Sequence, residues 1–478
     1  MNILLIVPPE QYFIESYVTR KLDKGREFRQ KLGIMYVAGA VRDTLGITPK
    51  IVDCLADGLD LNGLKTLVKS EKPDLACFSV LTFNLLDCLE SARAIKEASP
   101  ATKVCFGGFH VSIYPMETLK LDGVDYVVFG EGEETFPELV ECLKESANSP
   151  IYEKLKGIDG IGFFSDEGKP VINRERKAIG KLDQLPMPAH DLIDMSKYTV
   201  VLADEATVGA IQTSRGCPSK CVFCDIRMTR YRYRTEKHVM EEIKLLKTMG
   251  IKEFFVLDDT FTINRKRVMR LCELMIQENT GVRYKISSRI DKIDEEMLEA
   301  LAKSGCYRIH YGIESGSQRV LDFLEKEITI EQIEEVVAMT KRAGIEVFAY
   351  MMVGIPTETE ADMEESFKLI RRIMPNHVNY SICTPFPATL LYRQALEKSD
   401  FEGDYWHEFA KNPHPDFKIR TMNEYFDEPQ LRQIQDRALR HFYSSPKVIL
   451  REVIRTRSLK QLLVKIRLGL RLLLPRFS

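Results

Sequence analysis

The chain has no run of about 18 uninterrupted apolar residues, so no membrane-spanning helix is expected of it. It also has almost no imbalance of charge, with 68 Lys and Arg against 70 Asp and Glu and a formal net of −2. Without a positive excess there is no electrostatic reason to bind nucleic acid, and nucleic acid is not an expected partner. The opening stretch Met1-Asn-Ile-Leu-Leu-Ile-Val-Pro-Pro9 is apolar but short, and it lacks the basic start of a secretion signal. Eleven cysteines without such a signal do not read as a disulfide framework. They fit thiols or metal ligands in a reducing cytoplasm. What is present, 44% apolar and 29% charged residues over 478 positions, describes a globular protein of two or three domains.

A more specific absence concerns the cysteines. Cys217, Cys221 and Cys224 lie in Ser214-Arg-Gly-Cys-Pro-Ser-Lys-Cys-Val-Phe-Cys-Asp225, spaced C-x3-C-x2-C, with no fourth cysteine to complete the set. A cubane iron–sulfur cluster normally takes four thiolates; three hold three irons and leave the fourth open to a substrate or cosubstrate. Structural zinc sites are closed and built from two paired ligand sets, so zinc fits poorly. Gly216 and Pro218 make a tight turn that presents the three thiols together, which chance burial of three cysteines does not explain. At these residues the chain resembles the radical S-adenosylmethionine enzymes, and Phe223 before the last cysteine matches that family's usual aromatic. The resemblance implies a [4Fe-4S] cluster whose open iron chelates the amino and carboxylate groups of S-adenosylmethionine. Reductive cleavage then yields methionine and a 5′-deoxyadenosyl radical, which abstracts hydrogen from an unactivated carbon. It further implies an electron donor such as flavodoxin or ferredoxin, and an oxygen-sensitive centre.

Before this motif, short apolar runs at 3–7, 49–53, 75–80, 103–106 and 126–129 alternate with amphipathic stretches at 32–45, 61–69, 85–97, 115–121 and 134–144. That alternation predicts a doubly wound, Rossmann- or flavodoxin-like α/β domain over residues 1–146. Such sheets bind ligands at the carboxyl ends of their strands. Here those ends hold Pro8-Pro9, Ser79, Gly107-Gly108-Phe109-His110 and Gly130-Glu131-Gly132-Glu133. Together with Leu32-Gly-Ile-Met-Tyr-Val-Ala-Gly-Ala-Val-Arg42, these segments resemble the cobalamin-binding domain fused to many radical S-adenosylmethionine enzymes. The resemblance implies cobalamin as a third cofactor, with Ser79, Gly107, Gly108 and Gly130 lining the corrin or its nucleotide tail. His110 is either a cofactor contact or a brace for its loop. One departure stands out: Asp-x-His, whose histidine ligates cobalt in ordinary cobalamin enzymes, occurs nowhere in this chain. Cobalamin is then bound without a protein histidine, or the domain has lost it.

Residues 147–205 read as a linker containing a small strand pair and Leu185-Pro-Met-Pro188. From 206 to 400 the alternation resumes, with strands at 210–214, 254–257, 284–287, 307–313, 347–353 and 378–383. Six βα units predict a partial (β/α)6 barrel, whose chemistry collects at the carboxyl ends of the strands. By resemblance, Asp258 and Asp259 meet the amino group of S-adenosylmethionine, and Arg289 its carboxylate. Glu314 meets the ribose hydroxyls and Gly354 lets backbone approach the adenine. Each carboxylate could equally serve as a barrel-end ion pair. Thr384-Pro-Phe-Pro-Ala-Thr-Leu-Leu-Tyr392 resembles the family's Pro-x-Pro-Gly-Thr closure, with Ala388 where glycine is usual. Tyr231-Arg-Tyr-Arg234 is expected to join the cysteine loop to the next helix. Cys272, Cys306 and Cys383 are expected as core thiols.

A helical region of residues 401–478 follows, in which Tyr405-Trp406-His407 reads as packing more readily than as substrate contact. Its last 33 residues carry nine Lys or Arg against the single acid Glu452, a net of +8 that leaves −10 elsewhere. Basic residues among leucines at helical spacing describe a membrane-surface element, expected as peripheral contact with the inner face of the membrane. That contact points to a hydrophobic small-molecule substrate, such as a lipid, isoprenoid or tetrapyrrole. The resemblance leaves two chemistries open, C-methylation and oxidative ring formation. The alternatives are a methylthiotransferase-like enzyme, disfavoured because Cys54, Cys77, Cys88, Cys105 and Cys142 are scattered, and a non-enzymatic iron–sulfur or corrinoid carrier, which would want a fully ligated cluster.

Overall fold

The computed structural model of the protein describes residues 1–14, 30–145, 151–198 and 207–454. The leucine-rich basic tail from 455 onward, and the last part of the expected linker, lie outside the described residues. The chain forms two compact units.

In the first unit, β1 (Ile3–Val7), β2 (Lys50–Asp53), β3 (Leu75–Ser79), β4 (Lys103–Gly107) and β5 (Tyr126–Val128) are parallel, in the order β2-β1-β3-β4-β5. This is the flavodoxin-like strand order. β1 is buried along its whole length, as a parallel strand with both faces covered must be. On one face Leu5, Val7, Cys77 and Val128 pack with Ile34 and Ala38 of helix Leu32–Leu45 and with Phe136 and Leu139 of helix Gly132–Glu145. The first helix stops at Gly46, whose φ of 65° lets its N–H turn back to the Arg42 carbonyl.

The sheet continues past the five expected strands. β6 (Ile161–Phe164) pairs antiparallel with β5, and β7 (Pro170–Ile172) with β6. The strand pair expected in the linker is therefore an extension of the sheet. A Cβ at Gly162 would lie 2.5 Å from Ile172 Cδ1 and 2.6 Å from Val127 Cγ2, so the tight approach of β6 needs a glycine. Residues 401–418 also cluster with this unit. Trp406 is fully buried, Phe409 and Phe417 rings lie 4.1 Å apart, and His407 Nε2 meets Glu117 Oε1 at 2.7 Å. Tyr405-Trp406-His407 is packing.

The second unit has a six-stranded parallel sheet. Its strands are β8 (Gly209–Ile211), β11 (Glu253–Val256), β12 (Arg283–Ser288), β13 (Cys306–Glu314), β14 (Glu346–Val353) and β15 (His377–Ile382), paired in sequence order from β8 to β15. Two short strands, β9 (Ser214–Arg215) and β10 (Arg232–Tyr233), pair antiparallel beside it. Val347, Ala349 and Met351 of β14 are buried on the helix-covered face, while Phe348 and Tyr350 on the other face are half-buried. At the amino end of that inner face Arg308 binds Glu346 at 2.6 Å, and His310 stacks on Phe348 with centroids 4.6 Å apart. Charged and aromatic groups thus fill one end, and the carboxyl ends of the strands carry the loops.

Candidate functional site

The three cysteines sit on the loop between β9 and β10. Pairing of Ser214 with Tyr233 and of Arg215 with Arg232 closes the loop at its base. Gly216 turns at φ 86°, and a Cβ there would lie 2.4 Å from the Arg230 carbonyl oxygen, so only glycine allows the two sides to meet. Cys217 N–H donates to Thr229 Oγ1 at 2.9 Å, and Met228 N–H to the Ser219 carbonyl at 2.9 Å. The loop is pinned to the unit by Val222, which packs with Val320, Leu324, Ile355 and Leu391. Below it, Arg234 is buried against Glu242 and donates to the Gln212 carbonyl.

Cys217 and Cys221 are buried and Cys224 is half-buried. The three lie within electrostatic reach of one another, yet among the described residues no three His, Cys, Asp or Glu side chains group around a single ion. A cubane binds each thiolate at a different iron, and three thiols carried on one short loop meet that requirement. Burial pushes the Cys224 thiol up to about 12, and such a thiol becomes thiolate when a metal binds it.

The sequence-predicted residues converge on this loop, with different partners from those expected. Asp258 is buried and accepts four hydrogen bonds, from Thr213 N–H (2.6 Å), Thr213 Oγ1 (2.5 Å), Ser214 N–H (3.0 Å) and Ser214 Oγ (2.6 Å). Both of its oxygens thus bind the segment that leads into the cysteines. The Asp259 carboxylate accepts from Gly216 N–H at 2.8 Å, and burial raises it. Arg289 is also committed: it donates to Asp291 Oδ1 (2.7 Å), the Lys326 carbonyl (2.5 Å) and Cys221 Sγ (3.2 Å). Three of its five N–H donors are thereby taken by protein partners. Glu314, at φ 70°, is buried and pairs with Lys326 Nζ at 2.8 Å, the ion-pair alternative of its two readings.

Gly354, at φ 75°, presents its own N–H and that of Ile355 to Glu358 Oε2 at 2.7 and 3.2 Å. A Cβ there would meet the Leu431 side chain at 2.7 Å. Glu358 Oε1 is buried without a hydrogen-bond partner among the described residues, and burial raises its carboxyl to about 8. Ala388 takes φ 67°, the left-handed conformation that explains why glycine is usual in such a closure. Lys326 and Glu358 were not singled out from the sequence. Glu358 has a local signal, a carboxylate four residues past a positive-φ glycine and just before a Thr359 helix cap; Lys326 has none.

In the first unit, Ser79, Gly107, Gly108 and Gly130 stand at the carboxyl ends of β3, β4 and β5, as expected. Gly108, at φ 101°, lies so close to Val80 that a Cβ would fall 2.9 Å from its backbone, whereas nothing lies within 4 Å of a Cβ built on Gly130. The glycines at these strand ends carry no side chain toward the position where such sheets bind ligands. His110 is fully buried, with Nδ1 3.0 Å from Thr82 Oγ1, and burial lowers it to about 4. That contact joins the loop after β4 to the segment after β3. The residues fit a corrinoid held without a protein histidine. A separate cleft of about 860 Å³ in the second unit is lined by Phe367, Arg371, Arg437 and His441, with no residue of the cysteine loop.

Residues 211–370 match the radical SAM superfamily and residues 28–140 the B12 binding domain. An uncharacterized methyltransferase of Pyrococcus horikoshii is 31% identical over 458 residues, 95% of each chain. The anaerobic magnesium-protoporphyrin IX monomethyl ester cyclase of Rubrivivax gelatinosus is 29% identical over 77% of this chain and 67% of its own. The radical S-adenosylmethionine methyltransferase TsrM of Kitasatospora setae, solved with cobalamin and a [4Fe-4S] cluster, superposes with a TM-score of 0.71. It covers 94% of this chain and 90% of that one at 18% identity, which speaks for the fold alone. With both domain families in one chain and a relative matched from end to end, the chain belongs to the cobalamin-binding radical S-adenosylmethionine enzymes of methylase and cyclase type, which use a [4Fe-4S] cluster, S-adenosylmethionine and cobalamin.

Proposed function

We propose that this enzyme C-methylates a hydrophobic small molecule, with Cys217, Cys221 and Cys224 as the cluster ligands. The observation that carries the reading is the closed loop of three cysteines without a fourth, in a chain aligned over 95% of its length with a methyltransferase. When bound, the cluster and S-adenosylmethionine supply a radical that abstracts hydrogen, and the corrinoid supplies a transferable methyl group. The chain's own residues hold these groups. The Asp259 carboxylate, which among the described residues accepts from Gly216 N–H, is suited to accept from the ammonium of S-adenosylmethionine. The backbone at Gly354 is suited to approach its adenine, and Ser79, Gly107, Gly108 and Gly130 to line the corrinoid. Tyr350, Asn379 and Ser381 are half-buried on the inner face of the sheet beside Phe348 and Met352. That mixture suits an apolar substrate bearing a hydrogen-bonding group.

The reading includes an electron donor of flavodoxin or ferredoxin type and a cytoplasmic enzyme resting on the inner face of the membrane. No helix among the described residues is long and apolar enough to cross a bilayer. Surface contact is supported by helix Pro446–Ile454, which leaves Leu450, Val453 and Ile454 more than half exposed where the basic tail begins. Flotation with anionic vesicles tests this part, and protein that stays in the aqueous fraction removes it.

The test of the function uses anaerobic, cluster-reconstituted protein loaded with hydroxocobalamin and desalted. Cobalamin retained near one per chain, with S-adenosylhomocysteine and 5′-deoxyadenosine both formed in a lipid and tetrapyrrole screen, is the expected result. Formation of 5′-deoxyadenosine alone would mean hydrogen abstraction without methyl transfer.

A further inference from the structure

The three cysteines are not equivalent. Cys217 Sγ has a hydroxyl neighbour, Thr260 Oγ1, at 3.8 Å, and Cys224 Sγ has the Asp225 carboxylate at 3.9 Å. Cys221 Sγ alone receives a cationic donor, Arg289 Nη1, at the shorter distance of 3.2 Å. Arg289 is 5% exposed, so solvent does little to screen its charge. Its other two nitrogens are fixed, one by Asp291 and one by the Lys326 carbonyl. Asp291 is shared with Lys292 at 2.8 Å, so one carboxylate answers two cations and the group stays net positive. Lys326 lies between Glu325 and Glu327, both at positive φ (51° and 56°). That unfavourable backbone persists where surroundings impose it, and here it accompanies the carbonyl that accepts from Arg289. The Lys326 ammonium, neutralised by Glu314, adds no net charge of its own.

We propose that Arg289 is a positioning residue that sets the reduction potential of the cluster, by donating a charged hydrogen bond to the sulfur of Cys221. The inference rests on the reading of Cys221 as a cluster ligand. Reduction adds one electron from a low-potential one-electron donor and no proton, so the reduced cluster carries one more negative charge. A cationic donor to a ligand sulfur stabilises that form over the oxidised one, because hydrogen bonds and net charge set cluster potentials. Arg289 therefore raises the potential and makes the electron easier to load. An additional contact with S-adenosylmethionine is not required of it.

The experiment is a mediated redox titration of reconstituted protein without S-adenosylmethionine, read by electron paramagnetic resonance of the reduced cluster, with iron counted in each sample. Arg289→Gln is expected to keep its iron and to shift the midpoint negative. The expected ratio of reduced to oxidised cluster falls about tenfold at fixed potential, ~59 mV for one electron. Arg289→Lys keeps the charge but cannot span three partners, and a smaller shift in the same direction is expected. An unchanged midpoint at full iron content overturns the proposal. So does weaker S-adenosylmethionine binding with no change in the cosubstrate-free midpoint. If Arg289→Gln holds no cluster, Arg289→Lys decides by the same criterion. Failure of the underlying reading looks different: the unaltered protein takes up no iron, or Cys221→Ala keeps a full cluster.

Discussion

Replacing Asp258 separates a residue that shapes the site from one that touches the cosubstrate. Asp258→Ala removes the acceptor of two backbone N–H groups and two hydroxyls. The hydroxyls of Thr213 and Ser214 can rotate to other acceptors, but the two N–H groups cannot. A buried donor left without a partner costs about 1–3 kcal/mol, so the pair predicts a loss of about 4 kcal/mol in the second unit. For a unit of this size each kcal/mol moves the melting temperature by about 2–4 °C, giving a drop of about 10 °C. Asp258→Asn keeps one oxygen for the two N–H groups, and its amide donates to hydroxyls free to accept, so about 1 kcal/mol is expected. Thermal melts of the cluster-free proteins, followed by far-ultraviolet circular dichroism, measure both variants. An alanine variant melting within about 2 °C of the parent, with S-adenosylmethionine binding abolished, would refute the argument and restore the ammonium contact.

Gly216→Ala pushes a Cβ to 2.4 Å from the Arg230 carbonyl, so the loop must open at its base. We expect the variant to keep its secondary structure and lose most of its iron, by metal analysis after reconstitution; full iron uptake would show that the loop accommodates the methyl group. Glu358 gives a pH signature. Its folded carboxyl is raised to about 8 from an ordinary 4.5, so between those values the unfolded chain has released a proton that the folded chain keeps. Stability from this group is then complete below about pH 4.5 and declines as pH rises toward 8. Glu358→Gln, isosteric with the protonated acid, should flatten the melting temperature across that window and be the more stable form at pH 8. Parallel pH profiles for the two proteins would remove the assignment.

The architecture was legible because parallel strands buried on both faces leave apolar runs, and the cysteine loop because three ligands lie close together in sequence. Strands at 3–7 and 347–353 needed little beyond that pattern. The partners inside the site were not legible. Arg289 reaches Cys221 from 68 positions away, and Glu314 finds Lys326 only because β13 carries a kink at Gly312 and Glu314. Such pairs follow from how the sheet brings strand ends together, which a residue-by-residue resemblance does not contain. The same limit explains Asp258, whose position next to Asp259 suggested a shared role. Both carboxylates bind the segment before the cysteines, Asp258 at Thr213 and Ser214 and Asp259 at Gly216, and the number of donors each meets is set by that packing.

The cysteine loop is held by the pairing of its own ends, by Val222 and by Gly216. In a zinc finger the metal is the fold, and its loss dissolves the domain. Here the second unit has a six-stranded sheet of its own, so the cysteine loop is a guest of the fold rather than its cause.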